Sequence, residues 1–426
     1  MIAVDDPKKI VTVRLGNFQG VIDLEDMKWA RKPNPKVAYH QVKIKNPSEA
    51  LAVGDVILVE VKGKKEGQDL WALALEQLPV AQSALMCIEA ETGLVKAMIG
   101  GRDFKETQFN RAIQSRRQPG SAFKPVIYAA ALDKEFEDPG KIYTPATVIV
   151  DSAIVFKDEE RDFTWKPRNY KETFFGPTLL RKALAKSRNL VTIKILQDIG
   201  VDYAIEYATK IGIESTLSRD LSIALGSSGV SLLELLKAYS VFTNHGYLVD
   251  PVFILKVEDR NGNVLEEMAP ERRKVMEKST AYIMTSLLEG VVKNGTGWRA
   301  KELKRPAAGK TGTTNNLYDA WFVGYTPQYI TGVWVGLDEE APMGKGETGS
   351  RAASPIWVGF MQRVHENTPV EVFQPPEGVV FAKIDAETGL LPISESKDVI
   401  FECFKEGTVP TCLLYTSDAA DESSRV

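Results

Sequence analysis

Gln118-Pro119-Gly120-Ser121-Ala122-Phe123-Lys124-Pro125 runs straight into Val126-Ile127-Tyr128-Ala129-Ala130-Ala131-Leu132. A Pro-Gly turn delivers the chain into an apolar, alanine-rich segment of helical composition. Gly120 ends the loop, and Ser121 is a good helix-starting residue. The helix then carries Ser121 and Lys124 on one face, one turn apart. The hydroxyl meets the positive end of the helix dipole. A lysine buried beside it can give up its proton. The pair is a serine nucleophile with its own base, and it needs no histidine. Taken alone, Ser-x-x-Lys is better described as an ordinary N-cap with an exposed lysine. The chain holds a second copy, Ser394 to Lys397. It lies in a polar stretch with no apolar helical face and reads as a solvated loop.

Composition narrows the class. The 426 residues are 44% hydrophobic and 26% charged, enough for two or three globular domains. With 53 Lys+Arg against 57 Asp+Glu the net charge is −4, and no basic patch points to nucleic acid. No apolar run is long enough to span a membrane. The opening Met1-Ile2-Ala3-Val4-Asp5-Asp6 is not a signal peptide. Cys87, Cys403 and Cys412 show neither metal-ligand spacing nor a disulfide framework. His40, His245 and His365 sit in no motif, so a Ser-His-Asp site has no support. Nothing calls for a metal or a cofactor.

Residues 1–80 predict a small β domain of barrel or sandwich type. Val11–Leu15 and Val56–Val61 are strand-like, and Lys62–Gly67 reads as a polar hairpin loop. Nothing there looks catalytic, so the reading is an accessory module. A second unit starts near Ala84, with a strand to Glu89, a Glu91-Thr92-Gly93 turn, and a partner from Leu94 to Ile99. The echo Glu387-Thr388-Gly389-Leu390 predicts a second hairpin of the same kind. Residues 178–245 read as mostly helical, with one apolar stripe from Leu179 to Leu184 and further helices over Asp202–Ile211 and Leu232–Phe242. Arg260–Asn263 predicts a hairpin turn, Ser279–Val292 a helix, and residues 307–338 a run of strands turning at Asn315-Asn316 and Pro327. Helix formers return over Pro355–Val364. The tail, residues 413–426, breaks the preceding pattern, looks non-native, and is set aside.

Three short motifs come in one order: Ser121-x-x-Lys124, Ser187-x-Asn189 and Lys310-Thr311-Gly312. The second and third occur once each. Ser187 offers a second hydroxyl to pass protons between Lys124, Ser121 and a leaving amine. Asn189 offers an amide to a substrate peptide group. Lys310 adds positive charge for a substrate carboxylate, and Thr311 and Thr313 add hydroxyls. Gly312 leaves room for a substrate backbone to join the strand. On this reading Lys124 works as a neutral amine, and Lys310, at the start of an open strand, stays charged. Gly309-Lys310-Thr311 is not the end of a P-loop: position 304 is Lys304 rather than glycine, and strand signals come after it.

The trio resembles the transpeptidase region of class A penicillin-binding proteins of the Gram-negative 1A type. Phe109-Asn110-Arg111-Ala112, Arg117–Pro125, Ala224-Leu225-Gly226-Ser227, Asn294-Gly295-Thr296-Gly297 and Gly407-Thr408-Val409-Pro410-Thr411 carry the resemblance over residues 84–412. Residues 1–80 are similar to the OB-like insert that precedes this domain. The resemblance implies an α+β fold, with a five-stranded antiparallel sheet between helices and a helical lobe bearing Ser187 and Asn189. It implies a peptidoglycan DD-transpeptidase that acylates Ser121 with D-Ala-D-Ala stem peptides, transfers the acyl group to an amine, and is acylated by β-lactams. The backbone N–H groups of Ser121 and Thr313 would form the oxyanion hole. It further implies a periplasmic location, with the family's glycosyltransferase domain and membrane anchor missing from this stretch. Two rivals stay open: a serine β-lactamase, which needs a deacylating carboxylate, and a non-catalytic β-lactam sensor or peptidoglycan-binding domain. No Glu sits in a deacylation motif, and Glu234, in a leucine-rich helix, reads as capping or structural.

Overall fold

The computed structural model describes residues 1–414 except 33, 66, 68, 139–140 and 159–162. The chain divides into two compact units. The first holds residues 1–82 together with 316–318 and 337–347. Its sheet runs in the order Ala3–Asp5, Ile10–Leu15, Phe18–Asp23, Trp71–Glu76, Leu58–Lys64. The pairing of Phe18–Asp23 with Trp71–Glu76 is parallel, and the other pairings are antiparallel. Alternation sends Val11, Val13, Ile22, Leu73 and Leu75 inward, where they pack with Met27 and Ile44. The strand expected at Val56–Val61 starts instead at Leu58 and runs through Lys64, so part of the expected loop is strand. Pairing with Trp71–Glu76 fixes these ends, and a bulge between Val61 and Gly63 carries the ladder past the lysines.

Of the described residues, the second unit holds 83–315, 319–336 and those from 348 onward. Its five-stranded sheet has the order Ala308–Thr313, Asp319–Tyr325, Tyr329–Gly336, Gln82–Glu89, Val95–Ile99. Seven helices accompany it among the described residues: α1 Lys124–Asp133, α2 Leu180–Ala185, α3 Asn189–Ile199, α4 Val201–Lys210, α5 Leu232–Thr243, α6 Lys278–Asn294 and α7 Ser354–Val364. Trp321, Val323 and Tyr325 point into a core shared with α1, α5 and α6. Phe322, between them in sequence, points into a second core with Trp357 and Met361 of α7. This period of two places helices on both faces of the sheet, as expected of the α+β class. Helix α1 is buried from Lys124 to Leu132, which its run of alanines permits by letting neighbours approach closely.

Three expectations change in this unit. The α-helix begins at Lys124, and Ser121 lies in a preceding 3₁₀ turn, Gly120–Phe123, entered from Pro119. Leu179 closes a strand, Gly176–Leu179, and helix α2 starts one residue later. The Thr388-Gly389 turn does copy the Thr92-Gly93 turn: Gly93 N donates to Glu89 O at 3.0 Å and Gly389 N to Asp385 O at 2.9 Å. The partner strand differs, because Val379–Asp385 pairs with the distant Val399–Lys405. The turn chemistry is local, whereas the partner strand is chosen by packing. The tail assigned to 413–426 lies mostly outside the described residues. Its first two residues still pair with Leu391, through Leu414 N to Leu391 O at 3.0 Å.

Candidate active site

The turn bearing Ser121 is held from several sides. Trp321 Nε1 donates to Gln118 O at 2.8 Å, Gly120 N to Gly226 O at 3.3 Å, and Tyr239 Oη to Ala122 O at 2.7 Å. Gly120 has φ +54°, and a Cβ there would come within 2.5 Å of Thr313 O. Only glycine combines that conformation with that approach. The turn bearing Ser121 is thereby pressed against the backbone of Thr313. Gly312 also serves this contact: a Cβ on it would meet Pro119 O at 2.3 Å. The absence of a side chain at Gly312 is therefore required by the protein's own turn, a role that spacing alone does not show.

Lys124 is fully buried at the first turn of α1. Its Nζ lies 2.7 Å from Ser187 O, 3.3 Å from Ser187 Oγ and 2.7 Å from Asn189 Oδ1. Those three contacts account for its hydrogen bonds, and the Ser121 hydroxyl is not among them. The expected Ser121–Lys124 pair thus shares one turn without a direct hydrogen bond. Burial, followed by the neighbouring charges of Lys310 and Arg188, holds the Lys124 amine well below its ordinary range, and Asp151 works in the opposite direction.

Ser187 joins α2 to α3 with φ +56°, an uncommon conformation for a residue with a side chain. The turn brings its carbonyl and its hydroxyl to the same lysine. Lys310 Nζ reaches Ser187 Oγ at 3.0 Å and Thr311 O at 3.0 Å. Ser187 Oγ therefore lies between two lysines. Contrary to the expectation of an open, charged position, Lys310 is 0% exposed, and burial lowers it to about 7. The strand is at the sheet edge, but the Lys310 side chain points into the interior, toward Ser187.

Asn189 is committed to its own protein. Its Oδ1 accepts from Lys124, and its Nδ2 donates to Arg168 O at 2.8 Å, leaving one amide hydrogen. Thr311 Oγ1 lies 2.7 Å from Thr296 Oγ1. Thr313 Oγ1 accepts from Gly349 N at 3.0 Å. Thr296, Gly349, Asp151 and Asn169 all act on the motif residues, and sequence reasoning misses them as site residues. Thr296 has a signal, since Asn294–Gly297 is one of the stretches that carry the resemblance; the others lie in text without a motif. Glu234 has the capping role expected. It closes a capping box with Ser231 at the start of α5. Although burial works against it, hydrogen bonds from Ser231 and Ser215 keep its carboxyl below the usual range. His365 is enclosed between Thr326 and Thr368, and burial pulls it down to about 4. Two clefts of about 320 and 700 Å³ near His245 and Gln374 include none of the motif residues.

Residues 84–358 match the penicillin-binding protein transpeptidase domain, and the chain belongs to that family. Residues 2–81 match the penicillin-binding protein OB-like domain, and residues 375–413 the C-terminal domain of penicillin-binding protein 1A. Among its relatives is penicillin-binding protein 1A of Pseudomonas aeruginosa, 37% identical over 91% of this chain and 52% of that protein. The Aquifex aeolicus protein of the same name is 38% identical over 84% of this chain and 51% of its own length. The chain thus spans about half the length of these curated relatives. The crystal structure of penicillin-binding protein 1A from Haemophilus influenzae superposes with a TM-score of 0.81 at 27% identity, over 97% of this chain and 63% of that one. PonA1 from Mycobacterium tuberculosis, solved in complex with penicillin V, gives 0.59 at 25% identity, over 71% of this chain and 82% of that one.

Proposed function

We propose that the chain is a peptidoglycan DD-transpeptidase that works through an acyl-Ser121 intermediate. The observation that carries the reading is the cluster around Lys124: one buried amine gathers Ser187 and Asn189, while Ser187 Oγ bridges to Lys310. All three motifs meet there.

As a neutral amine, Lys124 donates two N–H groups to its close partners, Ser187 O and Asn189 Oδ1, and keeps a lone pair. That lone pair takes the proton of Ser121 as Oγ attacks the carbonyl between the two D-Ala residues. The backbone N–H groups of Ser121 and Thr313 receive the oxyanion. Removing one such donor typically costs about 10²–10³ in rate. As the C–N bond breaks, the proton passes through Ser187 to the departing D-Ala amine. An acceptor amine on a second stem peptide then attacks the ester, loses its proton to Lys124, and forms the cross-link while Ser121 regains its hydrogen. The donor lies along the edge strand Ala308–Thr313, with its carboxylate toward Lys310, Thr311 and Thr313 and its peptide against Gly312 and Asn189. Penicillin enters the same first step and stays as an ester. In the whole protein we place this unit on the periplasmic side of the bacterial inner membrane, alongside a glycosyltransferase domain and a membrane anchor.

A fluorescent-penicillin gel tests the reading. A persistent label on the parent, absent in Ser121→Ala, is expected, with mass spectrometry placing the adduct on the peptide containing Ser121. Rapid loss of the label would make the protein a β-lactamase, and no label at all would leave only a binding domain.

A further inference from the structure

Lys186, Ser187 and Arg188 join α2 to α3, and the start of α3 carries no cap of its own: Arg188, just before it, makes no side-chain hydrogen bond to the helix. The first N–H groups of a helix have no partner within it. Here the partner comes from 20 residues upstream. Asn169 Oδ1 accepts from Asn189 N at 2.8 Å and from Leu190 N at 3.4 Å. The other end of that amide is fixed too. Asn169 Nδ2 lies 2.9 and 3.0 Å from the two carboxylate oxygens of Asp151 and 3.0 Å from Thr173 O. Only one orientation of the amide serves both sides. Asn169 and Asp151 are buried, Asp151 completely. Asp151 ends the strand Val148–Asp151, whose partner Gly176–Leu179 leads directly into α2. Both helices at the Ser187 joint are thus anchored through this one ladder.

The same carboxylate faces a concentration of positive charge. Lys310 and Arg188 act on Lys124, and Arg188 Nε is 3.9 Å from Asp151 Oδ2 while its guanidinium covers the Phe175 ring. Tyr128, one turn beyond Lys124 on α1, also feels Asp151.

We propose that Asn169 and Asp151 are positioning residues of this site. Asn169 caps α3 and so aims Asn189 Oδ1 and the Ser187 carbonyl at Lys124. Asp151 locks the cap and supplies the buried negative charge against which the cations gather. The proposal rests on the reading of Ser121 as nucleophile and Lys124 as base. Burial, Lys310 and Arg188 push the Lys124 amine down and Asp151 holds it up. Neutralising Asp151 therefore makes Lys124 easier to deprotonate, and the acid limb of the acylation profile moves to lower pH. Losing the cap disturbs aim instead, which lowers the plateau.

The experiment measures second-order acylation by fluorescent penicillin against pH, with thermal midpoints, in the full chain and in Ser121→Ala, Asn169→Ala, Asp151→Asn and Arg188→Gln. The new asparagine at 151 can still accept one hydrogen bond from Asn169. For Asn169→Ala a plateau about 10–100-fold lower is expected, with the limb in place. For Asp151→Asn the limb moves to lower pH, and for Arg188→Gln it moves to higher pH. An unchanged plateau in folded Asn169→Ala, or an unmoved limb in folded Asp151→Asn, overturns the proposal. Should the two buried variants fail to fold, Arg188→Gln, at a partly exposed position, still decides the charge argument: an unmoved limb overturns it. A parent that labels while Ser121→Ala does not keeps the reading of the site intact whatever these variants do. A parent that never labels removes the reading itself.

Discussion

Lys124 and Lys310 are both fully buried, yet they differ in what surrounds them. Lys124 is ringed by acceptors and by two other cations, while Lys310 is lowered by burial alone. A guanidinium cannot give up its proton at neutral pH, so Lys124→Arg is expected to abolish acylation. Lys310→Arg keeps a cation but must fit a larger head between Ser187 Oγ and Thr311 O. A loss of about 10–100-fold is expected there. Equal acylation rates for the two variants would remove Lys124 from the role of base. The burial of Lys310 also has a consequence for stability. Its folded value of about 7 lies below the ordinary 10.5, so between those limits the unfolded chain binds the extra proton. Stability from this group therefore rises with pH above about 7 and is lost as pH falls through that value. Against Lys310→Met, the parent is expected to gain up to about 1.4 kcal/mol per pH unit between pH 7 and 9. Parallel denaturation curves at each pH measure it, and a difference independent of pH would mean that Lys310 stays charged in the folded protein. A bound substrate carboxylate would favour the charged form, so that binding takes up a proton from solvent.

At the scale of elements, the site is a contact between a turn and a strand. A Cβ on Gly312 would meet Pro119 O, and one on Gly120 would meet Thr313 O. Gly312→Ala places a methyl against backbone that cannot step aside, so the turn carrying Ser121 must move. We expect acylation to fall by more than about 100-fold and stability by about 1–3 kcal/mol. Gly359→Ala on α7 is the control, since nothing lies within 4 Å of its added Cβ, and it is expected to be neutral or slightly stabilising. If Gly312→Ala acylates like Gly359→Ala, the close contact does not set the position of Ser121. These contacts also show what is legible from the residues. The three motifs, the sheet strands over residues 308–336 and most helices can be read, because each rests on local spacing or period. The inward direction of Lys310 cannot, since an edge strand with one buried face reads like an open one. Nor can the reach of Asn169 to α3 or of Thr296 to Thr311. Such side chains are brought together by folding, over 20 and 15 residues of chain, and leave no periodic trace. The ends of Leu58–Lys64 escape the sequence for a related reason, since strand ends are set by the partner rather than by the propensity of the residues.

At the scale of the whole molecule, the first unit takes in more than the leading residues. Segments 316–318 and 337–347 belong to it, held in part by Met343 N to Leu317 O at 3.0 Å and Lys345 N to Pro35 O at 3.1 Å. Both segments border strands of the second unit's sheet in sequence: one precedes Asp319–Tyr325 and the other comes after Tyr329–Gly336. Two residues past the second segment, Gly349 N donates to Thr313 Oγ1. Removing residues 1–82 leaves every motif residue in place, because Ser121, Lys124, Ser187, Asn189 and Lys310 all lie in the second unit. It also strips segment 337–347 of the rest of its unit. Acylation is therefore expected to persist within about tenfold of the parent, while residues 337–347 become a site of proteolytic nicking. Limited proteolysis with mass mapping, run beside the acylation assay on a truncated chain that melts cooperatively, separates the two effects. A rate lower by more than about 100-fold in such a folded chain would mean that acylation depends on residues 1–82. Full protease resistance of 337–347 would mean instead that the order of this segment does not depend on residues 1–82.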